Sequence, residues 1–227
     1  MSEIFKNRYV KFICISFVPI VVSTTLYVIP TWAFSWFLII WNNFLAVLPL
    51  IFALLAKKAY EAHKKPSFII ASTLWLLFFP NAPYMITDLK YTYLHSEETY
   101  LYYLTNGSNV YAWFFVINLA LCVFIGLLHG MMSLNIMHNL VTKRFGKGVG
   151  VAAVSVTILL SSFAIYIGRF PRLNSWDIIR PAFLIEKIAD SATEFMPVFI
   201  LIFSFAIAFF YILYYLFVKY FVEQNNE

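Results

Sequence analysis

Apolar stretches of about 20 residues, the length that crosses the hydrocarbon of a bilayer as a helix, recur six times along this chain. They run near residues 10–29, 32–56, 67–86, 111–134, 149–168 and 195–218. Within lipid, a lone segment can satisfy its backbone groups only as a helix. The pattern therefore predicts an all-α membrane protein. A single integral-membrane domain over residues 1–227 would hold a bundle of about six transmembrane helices. The composition leaves no soluble alternative. Only 12% of the 227 residues are charged, against about 25% in an ordinary soluble domain, and the mean hydropathy is +0.80.

The first stretch follows Lys6, Arg8 and Lys11, as a secretory signal would. It runs on to Ile29, contains Pro19, and closes on Tyr27-Val28-Ile29-Pro30 without small residues for cleavage. It reads as a transmembrane helix. The net charge of +5 raises the question of nucleic acid, but the cations sit in short clusters between apolar spans, where topology accounts for them. Cys14 and Cys122 lie inside spans without metal-ligand spacing, so a disulfide framework or zinc site is not expected. Nothing in the sequence asks for a cofactor.

The cations orient the bundle. Eleven of the sixteen Lys and Arg fall before the first span, after the second, after the fourth and after the sixth. Five fall on the other side: Lys90, Arg169, Arg172, Arg180 and Lys187. The positive-inside rule then puts both termini in the cytoplasm, as an even number of spans requires. The two long loops, after the third and fifth spans, face outward. The first is rich in tyrosine, which favours the headgroup level. In the second, Pro181 can open a helix, and Leu184, Ile185, Ile188, Ala189 and Ala192 form a stripe. Both loops are expected to carry interfacial helices.

Two polar islands interrupt the apolar pattern, and both fall on this outer face. The first is Phe79-Pro80-Asn81-Ala82-Pro83-Tyr84-Met85-Ile86-Thr87-Asp88. The second is Gly168-Arg169-Phe170-Pro171-Arg172-Leu173-Asn174-Ser175-Trp176-Asp177. Ionisable groups near the hydrocarbon are costly, and they often mark function. Two readings of the first island stand: Pro80 ends the helix and Asn81 caps the next segment, or the helix is broken within the outer leaflet to line a cavity. Asp88 with Lys90 is readable as a solvated surface pair. In the second island, arginines on the disfavoured face call for partners. A guanidinium fork suits a carboxylate or a phosphate, so Asp88, Asp177 and a phosphate headgroup are the candidates. Asn174 with Asp177 three residues later also resembles a helix cap.

Histidines add less. Gly126-xxx-Gly130 permits close helix contact, and His129 between them is expected to hydrogen-bond a neighbouring helix. His129 and His138 fall near opposite faces of their helix. His95, in the outer loop, is a candidate acid or base. No nucleophile-elbow, phosphate-loop or zinc-helix motif is present.

The Phe79-Pro80-Asn81-Ala82-Pro83-Tyr84 run with Thr87-Asp88, followed in order by Gly168-Arg169 and Arg172-Leu173-Asn174-Ser175-Trp176-Asp177, resembles the bacterial membrane-protein family called domain of unknown function 1361. The resemblance covers roughly the second to sixth spans. It implies a multi-pass protein of a bacterial plasma or inner membrane, and no activity. Family patterns place a histidine shortly after Thr-Asp; His95 is the nearest here.

The resulting expectation is an outer-face site for an anionic lipid or lipid-linked phosphate. Arg169, Arg172 and Arg180 would clamp the anion, and Asn81, Tyr84, Asn174 and Trp176 would contact the ligand. Asp88 and Asp177 would orient the arginines or act as base. The rivals are a small transporter gated by the third span, and an accessory protein whose Arg-Asp network is structural. A homo-oligomer or a membrane partner fits either.

Overall fold

A computed structural model gives the fold and describes residues 9, 11–18, 21–22, 34–92, 110–172 and 179–223. Among these residues seven α-helices follow one another: α1 (Phe34–Glu61), α2 (Lys65–Phe78), α3 (Asn81–Tyr84), α4 (Val110–Phe145), α5 (Lys147–Arg169), α6 (Pro181–Ser191) and α7 (Phe195–Phe217). A 3₁₀-helix, Met85–Thr92, continues α3, and a π-helical turn, Val218–Glu223, continues α7.

Among the described residues, five runs are long and apolar enough to cross a membrane: Ile39–Glu61, Lys65–Lys90, Trp113–Phe145, Lys147–Arg169 and Phe195–Phe221. By helix length and hydropathy, the chain is a multi-pass membrane protein. These runs match the second to sixth expected spans. Half of the first expected span lies outside the described residues; within it, residues 11–18 and 21–22 are helical. The fourth helix is longer than its apolar stretch. It carries Lys143 and Arg144 in its last turn, because nothing before Gly146 stops it.

The turns at the basic end are local. After α1, the Lys64 amide bonds the Ala59 carbonyl at 2.9 Å and the His63 amide bonds the Tyr60 carbonyl at 3.1 Å. His63 has φ +54°. This is a Schellman stop in which histidine takes the left-handed position usually held by glycine. Pro66 then sits in the first turn of α2, where its missing N–H does no harm. Between α4 and α5 the whole reversal falls on Gly146, at φ +91°, a conformation that other residues rarely adopt.

Helix α1 packs against α2 and α4, α4 against α5, and α5 against α7. One core cluster joins α1, α2, α4, α5 and α7 through residues such as Leu50, Trp75, Leu134, Ile165 and Ile207. A second surrounds the first island, with Ile39, Ala46, Ala82, Met85, Leu119 and Cys122. Large apolar side chains cover the outside: Phe205 is 75% exposed and Leu201 65%. Such a surface suits lipid and not water.

Buried polar groups pair between helices. Trp75 Nε1 donates to Ser133 Oγ at 3.2 Å, and Ser204 Oγ donates to Ser162 Oγ at 3.0 Å. His138 Nδ1 lies 2.6 Å from Tyr211 Oη. His129 is buried, as expected for a partnered intramembrane histidine. Its Nε2 lies 3.0 Å from Ser16 Oγ, on the N-terminal helical stretch. Cys122 is a small buried hydrophobe, whereas Cys14 is only half-buried.

Candidate functional site

The first island is neither a plain stop nor an open break. Helix α2 ends at Phe78, yet Phe79 and Pro80 keep right-handed helical dihedrals. The chain passes into α3 and then into the tighter 3₁₀ winding. Proline removes amides that the preceding carbonyls would use. Here Asn81 Nδ2 donates back to the Phe78 carbonyl at 2.9 Å. Asn81 thus serves the turn behind it and does not cap the helix ahead, contrary to the expected cap. The Ala82 amide bonds the Phe79 carbonyl at 3.1 Å, and Thr87 Oγ1 donates to the Tyr84 carbonyl at 2.8 Å.

Three residues per turn place every third side chain on one line. Met85 and Asp88 follow that line in the 3₁₀-helix, Phe79 and Ala82 precede them at the same three-residue spacing in the turn and α3, and all four are fully buried. Helix α4 makes room for it. A β-carbon on Gly130 would lie 2.6 Å from Ala82 Cβ, and one on Gly126 would lie 2.8 Å from Met85 Cγ. The glycine pair of α4 therefore receives the first island itself.

Asp88 ends the buried line. Its Oδ2 accepts a hydrogen bond from Asn42 Nδ2, on α1, at 2.8 Å. Its Oδ1 is buried with no hydrogen-bond partner. The solvated Asp88–Lys90 surface pair is thereby corrected: Asp88 has no exposure, because the 3₁₀ pitch turns it inward. Arg169, on the last turn of α5, reaches the same segment. Its Nη1 donates to Tyr84 Oη at 3.3 Å and its Nη2 to the Thr87 carbonyl at 3.0 Å. The guanidinium carbon lies 5.9 Å from the centre of the Tyr84 ring. The Arg169 charge also acts on Asp88 through space.

Of the expected site residues, Tyr84, Asp88 and Arg169 are thus brought together, and Asn81 sits one turn earlier with its amide engaged by backbone. Arg172 and Arg180 are exposed, near the end of α5 and immediately before α6. Arg172 has φ +58°. Asn174, Trp176, Asp177 and His95 lie outside the described residues. Two participants escaped the sequence reading: Asn42, and the Thr87 carbonyl. The adjacent amides Asn42-Asn43 inside an apolar span were the available signal, since such groups require partners in lipid. Among the described residues, no three His, Cys, Asp or Glu side chains are placed to share a metal ion.

The expected amphipathic helix is present as α6, with Pro181 in its first turn. None of its residues is buried, and Leu184, Ile188 and Ser191 are half-covered. Its end is tied to α5: Tyr166 Oη donates to the Ser191 carbonyl at 2.6 Å and lies 3.2 Å from Thr193 Oγ1. Phe170 packs edge-on against Phe195 and Phe199. The first residues of the second island, through Phe170, and the start of α7 are thereby held at the same end of the bundle as Asp88.

No curated protein and no solved structure matches the chain. A family model described as protein of unknown function DUF1361 matches residues 41–210, a stretch that begins one residue before Asn42 and contains both islands. With most of its length matched by that family model, the chain belongs to the DUF1361 family.

Proposed function

We propose that this end of the bundle binds an anionic, phosphate-bearing ligand, lipid-linked or a lipid headgroup, on the outer face of a bacterial plasma membrane, with both termini cytoplasmic. The observation that carries the reading is the placement of the arginines. Arg169 is oriented by Tyr84 and Thr87 at the end of α5, while Arg172 and Arg180 are exposed close to it in sequence. Guanidinium groups bind phosphate through paired donors. The left-handed backbone of Arg172 adds support, since such conformations gather at ligand sites.

The complete burial of Asp88 favours a positioning role over that of a base: it holds the 3₁₀ segment that follows Tyr84 and carries Thr87. Asp177, in the second island with Asn174 and Trp176, is the candidate base if the ligand is also processed. Asn81 supports the segment through the backbone, one turn before Tyr84.

A second reading is favoured by one specific observation. The described hydrogen bonds of Arg169 run to Tyr84 and Thr87, so the cluster can act as a lock between the third and fifth spans in an accessory protein. Binding separates the two. The purified full chain in neutral detergent would be titrated with hexadecyl phosphate and with hexadecanol, in a Lys58→Gln/Lys64→Gln background that silences the basic end. Preference for the phosphate, lowered about tenfold by Arg172→Gln/Arg180→Gln through the loss of two charge-assisted contacts, supports the ligand site. Equal binding of both probes, or an undiminished preference in the double arginine variant, leaves the lock.

A further inference from the structure

We infer that the opposite, basic end of the bundle carries a seat for one anionic phospholipid, in the groove between α1 and α2. The groove has a volume of about 360 Å³, within the range of small-ligand sites. Its walls are apolar, with Leu55 from α1 and Ile70 and Leu74 from α2. Its mouth is polar and of one sign: Lys58, Lys64 and Ser67 line it, and among the described residues no acidic one does. Lys58, Lys64 and Ser67 are all exposed.

Two features bring the charges to the mouth. The Schellman stop at His63 folds the chain back within three residues, so the last turn of α1 and the first turn of α2 open side by side. The N-terminus of α2 has no side-chain cap, and its dipole has the same sign as the lysines. A headgroup phosphate at the mouth with an acyl chain along Leu55, Ile70 and Leu74 satisfies both halves of the groove. Basic recesses between transmembrane helices bind anionic headgroups on this principle.

The neighbouring groove on the other side of α1 shows the contrast. It has a volume of about 440 Å³, shares Leu55 and Lys58 with the first groove, and is further lined by Tyr9, Ile13, Lys57 and Glu61 among others. There Lys57 Nζ lies 4.0 Å from Glu61 Oε1, so a carboxylate stands in that mouth and already answers one of its two lysines, whereas the charged residues lining the α1–α2 mouth are lysines alone. Charge complementarity selects the α1–α2 groove, and an amphiphile with a chain and an anionic head is its occupant.

The test uses the purified full chain in neutral detergent, with native mass spectrometry reading retained lipid. Phosphatidylglycerol should be retained over phosphatidylcholine of the same chains. Lys58→Gln/Lys64→Gln should lower that retention about thirtyfold, as expected for two lysines near a headgroup. Ser67→Glu, at an exposed position, should lower it without removing a lysine. These measurements are made in an Arg172→Gln/Arg180→Gln background, which silences the site at the other end and so separates this seat from it. Equal retention of the two lipids, wild-type retention by both mouth variants, or displacement by millimolar inorganic phosphate would overturn the proposal.

Discussion

Asn42 Nδ2 donates to Asp88 Oδ2 at 2.8 Å, across 46 residues of sequence and from one span to the next. This bond ties α1 to the 3₁₀ end of the third span at a position with no exposure on the Asp88 side. It gives the buried carboxyl a neutral amide donor, while Arg169 approaches from α5 through Tyr84 and Thr87.

Replacing Asn42 by Leu leaves Asp88 buried without that donor. Loss of a hydrogen bond to such a group should destabilise the fold by about 1–3 kcal/mol. Thermal unfolding in detergent reads the effect. Adding Asp88→Leu to Asn42→Leu should recover part of the loss, because both polar groups then leave together. An unchanged midpoint in the single variant would show that the bond contributes nothing.

The two glycines of α4 should differ. At Gly130 a methyl would meet Ala82 Cβ, which is fixed to the backbone; at Gly126 it would meet the flexible side chain of Met85. Gly130→Ala should therefore destabilise by about 1–3 kcal/mol, the usual range for overpacking, and Gly126→Ala by less. Equal losses would mean that helix α3 does not sit on Gly130.

Tyr166 is expected to hold the segment after α6. Tyr166→Phe removes the donor to the Ser191 carbonyl and the contact with Thr193. Local opening of few-contact segments is read by amide exchange. Exchange over residues 181–194 should quicken several-fold in the variant while α4 stays protected. Uniform quickening across the bundle would point to a global role instead.

Topology has a direct check in a background of Cys14→Ser and Cys122→Ser. Arg172→Cys should react with a membrane-impermeant maleimide on intact cells, and Ser67→Cys only after permeabilisation. Both positions are exposed. Labelling of both from the same side would refute the alternation of spans drawn from the cation count.

Much of the candidate site was readable as residues and little of it as partners. Tyr84, Asp88 and Arg169 stood out because polar groups among apolar ones are few. That Arg169 would meet Tyr84 and the Thr87 carbonyl, 85 and 82 residues away, depends on which helix ends pack together. Pro80 and Pro83 announced a weakened helix but not its outcome. The outcome turned on Asn81 serving the Phe78 carbonyl and on glycines of another helix accepting the tighter winding.

By itself, the sequence determined the membrane class, the second to sixth spans, the amphipathic helix at Pro181 and the grouping of basic residues. Each of these rests on composition or short-range periodicity, which burial in lipid reads one helix at a time. The tertiary structure alone decided that Asp88 is buried, that Asn42 is its donor, and that α4 opens at Gly126 and Gly130 to admit the first island. Those outcomes rest on contacts between helices far apart in sequence, where the available space and the nearest donor belong to a different segment of the chain.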